Sequence, residues 1–462
     1  MQAGNILREK ASQVKPASRD KIATMHGIDM TSDELVSALL NIATSETVCI
    51  LDSCGVGHLG SHLLIAGIEP VEAIEIRNDD PDETLRILDD KLSGEFAAIF
   101  TISYDFGLNL LGIDPRKKSF STHQEPDVYI ALFNCLIIHD YDGGTTRLSG
   151  NSNKFESIWQ KLKANVRSRG HDFPTLPSSV TSNFTKPEYL AAIESIKERI
   201  RCGDTYQTNL TQQLRAELPR EVTPKIIFER LRRDHPAPFS AFIKRLDSTV
   251  VSASPERFFH VDEQSRTITT SPIKGTRPRG DTNEEDDALG EELLTSSKDR
   301  AENTMIVDLI RNDLGRVCEY GSVRVDKLCD LEEHPTLFHL VSTVSGDLRP
   351  NTKLSDILKA VFPCGSITGA PKISTMKIID ETETTDRGLS MGAIGYYFPK
   401  KGFGTSATLD LSVAIRTMVI RDDIATFNVG GGIVIDSDPE SEYGETLLKA
   451  KALLSAINGE FS

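Results

Sequence analysis

Apolar and polar residues along this chain follow two spacings, one typical of strands and one typical of helices. The apolar-rich runs at residues 128–140 and 250–261 each predict a buried strand, and the first runs into a hairpin at the Asp-Gly-Gly turn of residues 142–144. Another strand is predicted at residues 424–436. The first part of the chain therefore contributes strands as well as the last part.

Helix starts carry separate signals. Thr185 and Glu188 fit a capping box with proline just inside the helix, and apolar residues then recur at helical spacing. Helices are also predicted at residues 298–314 and 439–457, whereas the acidic segment 281–292 is interpreted as a solvated loop entering a helix. Strands and helices alternate without a repeat, which predicts an α+β protein with large antiparallel sheets.

One segment of unpatterned composition divides the chain. Residues 166–186 are rich in Ser, Thr and Pro and lack periodicity, so we expect a linker or crossing segment there. This leaves an N-terminal region, 1–165, and a second region, 187–462. A length of 462 residues allows such a division at about 100–200 residues per domain.

Composition narrows the possible classes of function. The net charge of −16 argues against a general nucleic-acid binder, which needs a basic face. No apolar run approaches the ~20 residues of a membrane span. The chain has seven cysteines, an odd number, and no C-x-x-C motif, so the sequence predicts neither a zinc site nor a disulfide framework. Unpaired thiols suit a cytoplasmic location.

Several carboxylates stand in unusual places. Glu302 shares an apolar stripe with Ile306 and Leu309. Its carboxylate either interacts favourably with the helix dipole in the first turn or pairs with a cation. Glu442, Glu445 and Lys449 fall on one helix face, just after the triple glycine of residues 430–432. Each feature alone fits a surface ion pair or a bulge. Together they suggest Mg²⁺ bridging the protein to a carboxylate ligand.

Lys274 lies among prolines and glycines in residues 271–280, which cannot be the interior of a helix. We expect it to be held in a rigid turn. It is either a solvated loop lysine or, if desolvated to a near-neutral pKa, a nucleophile.

A series of long motifs runs through residues 185–458. They are GDTYQTNL (203–210), SPER (254–257), PIKGTRPRG (272–280), KDRAENTMIVDLIRNDLGR (298–316), FHLVSTVSG (338–346), CGSITGAPK (364–372), MGAIGYY (391–397), AIR (414–416) and GGGIVIDSDPESEYGET (430–446). In this order they resemble the chorismate-utilising enzymes, which act on a cyclohexadiene dicarboxylate. The resemblance implies an anthranilate synthase component I-like α+β sandwich of two large antiparallel sheets, with helices outside and the active site between the sheets.

Two positions distinguish the reactions of this family. Members that add water to the ring carry a lysine base where this chain has Gln207, which takes no proton near neutrality. Members that aminate ring carbon 4 carry the lysine found here as Lys274, whereas those that aminate carbon 2 typically carry alanine. The resemblance therefore implies formation of 4-amino-4-deoxychorismate, formally a transaminase-class reaction.

The resemblance also assigns roles to single residues. Mg²⁺ would be held by Glu302, Glu445 and Glu442, Lys274 would attack ring carbon 2, and Glu256 would protonate the departing 4-hydroxyl. Catalysis near the enolpyruvyl group would involve His339. Substrate contacts would come from Gln207, Thr276, Thr368, Tyr396, Arg416, Lys449 and the backbone of Gly430, Gly431 and Gly432. A structural histidine, a strand-end ion pair of Arg416 and a helix-surface ion pair of Lys449 are the simpler alternatives.

The ammonia donor and the next enzyme are expected on other chains. None of the cysteines lies in the G-x-C-x-G pattern of a glutaminase nucleophile, so a separate glutamine amidotransferase subunit would supply ammonia. A separate aminodeoxychorismate lyase would finish para-aminobenzoate for folate synthesis. Two alternatives stay open, namely amination at carbon 2 to give anthranilate, and a chorismate-binding protein without catalysis.

Overall fold

A computed structural model describes residues 23–56, 62–78, 80–116, 118, 125–166, 175–333, 337–399, 402–403 and 408–461. The helices are α1 (Ser32–Ile42), α2 (Pro81–Leu92), α3 (Phe106–Leu110), α4 (Phe155–Asn165), α5 (Lys186–Arg201), α6 (Pro224–Asp234), α7 (Asn283–Thr295), α8 (Ser297–Gly315), α9 (Leu354–Val361), α10 (Lys372–Thr382) and α11 (Pro439–Ile457). The strands are β1 (Ala23–Ile28), β2 (Val48–Asp52), β3 (Leu63–Ile68), β4 (Glu72–Ile76), β5 (Ala97–Ile102), β6 (Val128–Phe133), β7 (Cys135–Asp140), β8 (Thr145–Gly150), β9 (Ser178–Ser182), β10 (Gln207–Glu217), β11 (Phe239–Lys244), β12 (Thr249–Ser254), β13 (Arg257–Asp262), β14 (Thr267–Thr270), β15 (Ile273–Pro278), β16 (Arg324–Glu333), β17 (Leu337–Asp347), β18 (Gly369–Ala370), β19 (Ala393–Phe398), β20 (Thr408–Val413), β21 (Thr417–Arg421), β22 (Ile424–Ile433) and β23 (Gly459–Phe461).

These strands form two large sheets. Sheet I has 13 strands in the order β1-β8-β7-β3-β2-β11-β12-β21-β22-β10-β9-β23, with β18 also paired to β10. Sheet II has 10 strands in the order β15-β17-β14-β13-β20-β19-β5-β6-β4, with β16 paired to β17. Among the described pairings, β23 with β9 is parallel and the others are antiparallel. The predicted two-sheet α+β fold is confirmed.

The N-terminal and C-terminal parts of the chain share both sheets. In sheet I, β2 pairs with β11, and in sheet II, β5 pairs with β19. The segment 166–186 contains β9, which pairs with β10, while residues 167–174 lie outside the described part of the chain. Neither part therefore completes a sheet of its own in this structure.

Alternation along the strands produces three apolar layers. Neighbouring residues of β2 point opposite ways, so that Cys49 packs between the sheets while Val48 and Ile50 pack under helices. Helices α1, α4, α6 and α11 cover the outer face of sheet I, and α2, α3, α8, α9 and α10 cover that of sheet II. The inter-sheet layer takes side chains from both sheets: Cys49, Ile65, Ala97, Ile99, Tyr129, Ala131, Phe133, Leu136, Ile138, Ala241, Ile243, Val250, Leu389, Ile394, Phe398, Phe403, Ala414 and Val419.

Two apolar runs that predict single strands are in fact two strands each. Residues 128–140 form β6 in sheet II and β7 in sheet I, and residues 250–261 lie mostly in β12 of sheet I and β13 of sheet II. The single-strand interpretation was wrong. A run whose residues are buried on both faces has the same apolar sequence pattern whether it stays in one sheet or passes into a second. The hairpin after residue 140 is confirmed as β7–β8.

Several local predictions can now be compared with the structure. The helices at 298–314 and 439–457 are confirmed as α8 and α11, and the Thr185 capping box of α5 is present. The acidic segment is mostly helix α7 rather than a loop, since Thr282 caps it by accepting a hydrogen bond from the Glu285 amide. Lys274 lies in strand β15 rather than in a turn, because extended backbone also tolerates proline at a strand end.

Two further findings concern membrane-spanning helices and disulfide bonds. In the ranges given above, none of the helices combines the length and apolarity that a bilayer crossing requires. All seven cysteines lie within those ranges and are free thiols.

The inter-sheet layer gives a stability prediction. The Phe133 ring from sheet II lies over Gly67 of sheet I, where an added Cβ would come within 2.5 Å of the ring. Because Phe133 is fully buried, Phe133→Ala should lower the free energy of unfolding by about 3–5 kcal/mol. The matched control is Phe96→Ala, since Phe96 is 36% exposed. Chemical denaturation should rank the two variants in that order, and equal losses would contradict the proposed layer.

Candidate active site

Glu256 lies where the chain passes from one sheet to the other. Strand β12 ends at Ser254 in sheet I and β13 begins at Arg257 in sheet II, with Pro255 between them unable to continue a ladder. The Ser254 hydroxyl accepts a hydrogen bond from the Glu256 amide at 3.3 Å, and Arg257 makes a bidentate ion pair with Asp410 at 2.9 and 3.0 Å. The crossing therefore fixes the backbone on both sides of the carboxylate.

The Glu256 side chain is buried and only partly satisfied. The residue is 4% exposed, and its Oε1 atom has no hydrogen-bond partner. Burial raises the pKa of this carboxyl, while a hydrogen bond from Ser366 and the charge of Lys274 act in the opposite direction. A buried carboxyl of this kind can hold a proton and deliver it to an acceptor in the pocket.

A β-bulge in β15 sets the direction of the Lys274 side chain. The pairing of β15 with β17 shifts register between Ile273 and Thr276, and Gly275 between them has φ +86°. An added Cβ at Gly275 would lie 2.8 Å from Leu293 Cδ1, so glycine meets both the backbone and the space requirement. The bulge sends the Lys274 side chain inward, where its Nζ atom donates to the Ser366 carbonyl oxygen at 3.1 Å.

The charges around Lys274 are mixed. Burial lowers the pKa of the Lys274 amine, and the positive charge of Lys449 adds to that effect, whereas the nearby carboxylates Glu302, Glu256 and Glu445 oppose it. A lysine with a lowered pKa is more readily available as a free amine.

Helices α8 and α11 bring three glutamates to the same pocket. Lys298, in the first turn of α8, lies 3.8 Å from the Glu442 Oε1 atom of α11. Burial raises the pKa of Glu302, and the negative charge of Glu442 contributes to the increase. For Glu445, burial also acts to raise the pKa, but Lys449, whose ammonium lies 2.8 Å away, outweighs it together with the charges of Lys298 and Lys274, and the net shift is downward.

These glutamates do not form a closed metal cage. Across the described ranges, no group of three or more His, Cys, Asp or Glu side chains is arranged to hold a metal ion. Glu442 Oε1 accepts a hydrogen bond from the Ser437 hydroxyl at 2.7 Å, and its Oε2 atom faces Gly431. An oxygen-seeking cation could take carboxylate ligands here only if water or a bound molecule completed its coordination.

The triple glycine of β22 lines the pocket at close range. An added Cβ at Gly431 would lie 3.4 Å from Glu442 Oε2 and 3.6 Å from Lys449 Nζ. At Gly432 it would lie 2.0 Å from Gln207 Nε2. A side chain at Gly431 would enter the space between β22 and α11, and one at Gly432 would overlap the Gln207 side chain of β10. That the exposed backbone N–H groups bind an anion stays a prediction. The close neighbours of Gly432 leave room only for glycine.

Other predicted residues have partners of their own. The Thr276 hydroxyl and His339 Nδ1 lie 3.0 Å apart across β15 and β17, where the two residues are paired. The Thr368 hydroxyl is directed to the carbonyl oxygens of Cys364 and Gly365, at 3.0 and 3.3 Å. Lys449, besides its ion pair with Glu445, donates to the Gly430 carbonyl oxygen at 3.1 Å.

Two predicted residues lie apart from Lys274 as far as the described contacts show. Arg416 is half-buried and has a φ of +48°. Burial lowers the pKa of its guanidinium, and no ion pair with this group is found among the described residues. Tyr396 lines a separate inter-sheet cavity of about 50 Å³, together with Asp52, Ser53 and Asp410. Their predicted contacts with an enolpyruvyl carboxylate stay predictions.

Sequence reasoning missed two residues of the pocket. The Ser366 carbonyl oxygen accepts a hydrogen bond from Lys274 Nζ, and Lys298 lies 3.8 Å from the Glu442 carboxylate of α11. Both belong to motifs that the sequence singles out, CGSITGAPK and KDRAENTMIVDLIRNDLGR. No pattern of side chains predicts a role for Ser366, because its contact with Lys274 is made by a main-chain oxygen.

Comparisons with known proteins agree with this architecture. The sequence pattern of the "chorismate binding enzyme" family matches residues 48–455, which include both the N-terminal strands and the whole candidate pocket. The solved structure of anthranilate synthase component I from Streptococcus pneumoniae superimposes with a TM-score of 0.73 and 29% sequence identity, covering 86% of this chain and 93% of that one.

Curated relatives carry two different names. The chain is 34% identical to aminodeoxychorismate synthase component 1 of Bacillus subtilis, over 86% of this chain and 90% of the relative. It is 37% identical to an anthranilate synthase component 1 of Haloarcula marismortui, over 85% of this chain and 82% of the relative. Family match, relatives and fold lead to the same conclusion: this chain belongs to the chorismate binding enzyme family and is a chorismate-utilising enzyme of the aminodeoxychorismate or anthranilate synthase type.

Proposed function

We propose that this enzyme aminates chorismate at ring carbon 4 through a covalent adduct on Lys274. The observation that carries the proposal is the pairing of a half-buried lysine and a buried glutamic acid in one pocket. Burial shifts the pKa of Lys274 down and that of Glu256 up, so each is moved toward its uncharged form. An uncharged amine is a nucleophile and an uncharged carboxyl is a proton donor.

The position of amination follows from the lysine. Relatives of both the carbon-4 and the carbon-2 type match this chain at similar identity, so overall similarity does not separate the two reactions. Lys274 stands where carbon-2 enzymes typically carry alanine, and it reaches into the pocket rather than into solvent. Gln207, buried and with an unpartnered Oε1 atom, cannot act as the base for water addition.

The reaction balances in two substitutions. In the first, the Lys274 amine bonds to ring carbon 2, the ring double bonds shift, and the carbon-4 hydroxyl leaves as water with the Glu256 proton. In the second, ammonia bonds to carbon 4, the double bonds shift back, and the bond between carbon 2 and Lys274 breaks. The Glu256 carboxylate then takes the surplus proton, and the product is 4-amino-4-deoxychorismate plus water. Proton delivery of this kind typically contributes ~10²- to 10⁴-fold in rate.

We also propose Mg²⁺ as cofactor, held by Glu302, Glu445 and Glu442. The donor chemistry fits, because all three residues offer carboxylate oxygens and a cation would favour the ionised form of Glu302, whose pKa is raised by burial and, to a smaller extent, by the charges of Asp299 and Glu442. When bound, the ion supplies Lewis-acid polarisation of the substrate carboxylate. Among the described residues no three such side chains are grouped to hold an ion, so a substrate oxygen and waters would have to complete the coordination.

The proposed partners follow from the chemistry. Two relatives are named component 1, which implies a further component in those proteins. We propose that a separate glutamine amidotransferase subunit supplies ammonia to this chain in the cytoplasm. A separate aminodeoxychorismate lyase would then remove the enolpyruvyl group to give para-aminobenzoate for folate synthesis.

Product analysis tests the proposal. Purified protein with chorismate, Mg²⁺ and excess ammonium should give para-aminobenzoate only when an aminodeoxychorismate lyase is added. Lys274→Ala should lower this rate by a factor on the order of 10³ or more, because both substitutions depend on the amine. The matched control is Lys327→Ala, since Lys327 is exposed on β16 and paired with Asp330. Anthranilate as product, or a Lys274→Ala rate within a few-fold of wild type, would refute the proposal.

Magnesium dependence provides a second test. Glu302→Gln removes one carboxylate charge and should weaken Mg²⁺ binding at least as much as loss of an outer-shell partner, roughly 10- to 100-fold. Calorimetric Mg²⁺ titration with chorismate present measures this independently of turnover. The control is Glu440→Gln on the exposed first turn of α11, where the carboxylate pairs with Lys186 at 2.7 Å. Unchanged Mg²⁺ affinity in Glu302→Gln would remove this residue from the metal site.

A further inference from the structure

One edge of β10 is completed by side chains instead of a strand. Among the described pairings of that edge, β18 covers the first two residues of β10 and β9 covers the last four. The residues between them need other partners, because an unpaired buried N–H or C=O group costs free energy. The Thr211 amide donates to the Glu383 carboxylate at 2.7 Å, and the Asn209 carbonyl oxygen accepts from Arg387 Nη2 at 2.8 Å. Glu383 and Arg387 therefore take the place of a strand there.

The two side chains form a buried ion pair. Arg387 contacts both oxygens of the Glu383 carboxylate, at 2.7 and 2.9 Å, and the two side chains are 1% and 3% exposed. The planar fork of a guanidinium matches a carboxylate in this geometry, which a lysine ammonium cannot reproduce. The Thr211 hydroxyl also donates to this carboxylate, at 3.0 Å. Both partners of the pair are thus fixed to β10.

The same guanidinium holds the loop that carries the hydrogen-bond acceptor of Lys274. Arg387 Nη1 donates to the Ile367 carbonyl oxygen at 3.1 Å. The residue before it in the loop is Ser366, whose main-chain carbonyl oxygen accepts from Lys274 Nζ at 3.1 Å. Consecutive carbonyl oxygens of one loop therefore receive the hydrogen bond of the arginine and that of the lysine.

The rest of this loop is short and closely packed. The Thr368 carbonyl oxygen accepts from the Asn209 amide at 2.8 Å, and the Thr368 hydroxyl donates to the Cys364 carbonyl oxygen at 3.0 Å. An added Cβ at Gly365 would lie 2.7 Å from a methyl carbon of Leu309 on α8. Because so few residues separate these contacts, loss of one of them would displace the neighbouring carbonyl oxygens.

The N-terminal region holds the arginine from another side. The centre of the Tyr104 ring lies 4.4 Å from the Arg387 guanidinium carbon, and the tyrosine is 1% exposed. A cation over an aromatic face is favoured most where both are desolvated. The Asp105 carboxylate accepts hydrogen bonds from the main-chain amides of Arg387 and Gly388, at 3.3 and 2.7 Å. Residues that directly follow β5 thus fix the side chain that holds the loop.

We infer that Arg387 is a positioning residue that fixes the Lys274 amine by holding the loop whose Ser366 carbonyl oxygen accepts its hydrogen bond. The inference rests on the proposed function. Four of the five N–H hydrogens of the guanidinium are directed at protein oxygens, so Arg387 acts through the loop and not on the substrate. A displacement of about 1 Å between reacting groups can slow a reaction on the order of 10²-fold.

The test uses Arg387→Lys, which keeps the positive charge and loses the fork. The kcat for chorismate consumption with ammonia should fall roughly 10- to 100-fold while KM stays within about threefold, because the substrate contacts remain. The matched control is Arg245→Lys. The Arg245 side chain is also fully buried, is paired with Glu125 and donates to the Ser248 hydroxyl at 3.0 Å. The control should lose thermal stability and keep its kcat at temperatures where it is folded.

A double-mutant cycle shows whether Arg387 acts through the lysine. In the Lys274→Ala background, Arg387→Lys should change the residual rate by less than about twofold, because no amine is left to position. A purely structural role would lower the rate in both backgrounds by the same factor. If Arg387→Lys fails to fold, Glu383→Gln replaces it in the cycle. That variant keeps the size and loses the charge of the partner, so kcat should fall by a smaller factor.

The outcomes separate this inference from the proposed function. An unchanged kcat, or equal factors in the two backgrounds, overturns the positioning role and leaves the proposed function intact. A Lys274→Ala rate within a few-fold of wild type overturns the proposed function, and the positioning role fails with it because the lysine is then no nucleophile. A fall in kcat that requires Lys274 is the result that the inference predicts.

Discussion

The apolar layer between the two sheets holds the other parts of the structure in their places. Side chains from β2, β3, β7, β11, β12 and β21 of sheet I meet those from β5, β6 and β19 of sheet II there. Where the chain passes from one sheet to the other, the ladder hydrogen bonds stop, so a polar side chain can enter the interior without interrupting a sheet. Glu256 occupies one of these points, beside a proline and a bidentate Arg257–Asp410 pair. The position of the proposed acid is therefore a consequence of the two-sheet architecture.

Desolvation then decides the chemistry of the pocket. Burial works on Lys274 and Glu256 in opposite directions and brings both nearer to neutral forms. In water, an amine and a carboxylic acid would both be charged near neutrality. The Ser366 carbonyl oxygen accepts a hydrogen bond from the Lys274 amine, and the charges of Glu302 and Glu445 favour its protonated form. The proposed nucleophile and the proposed acid therefore share one pocket in which burial opposes the charge of each.

The sequence predicted helices α5, α8 and α11, since a capping box, proline at a helix start and helical spacing are local signals. Its long motifs carried the family resemblance, which implied the two-sheet class. The sequence did not predict where the chain changes sheet, because the break after Phe133 and the break at Pro255 lie inside runs that are rich in apolar residues on both sides of the break. The grouping of Lys274 with Glu256, Glu302 and Glu445 was anticipated through the family resemblance. Ser366 could not be, since its contact with Lys274 uses a carbonyl oxygen that every residue has.

The central claim is that Lys274 becomes covalently bonded to the substrate ring. The most direct measurement is peptide mass mapping after the enzyme is mixed with chorismate and Mg²⁺ without ammonia and quenched rapidly. The account predicts that the peptide containing Lys274 gains the mass of chorismate less one water. It also predicts that later addition of ammonia removes this mass and that Lys274→Ala never acquires it. An unmodified Lys274 peptide in an enzyme that still aminates carbon 4, or an adduct on another lysine, would contradict the account.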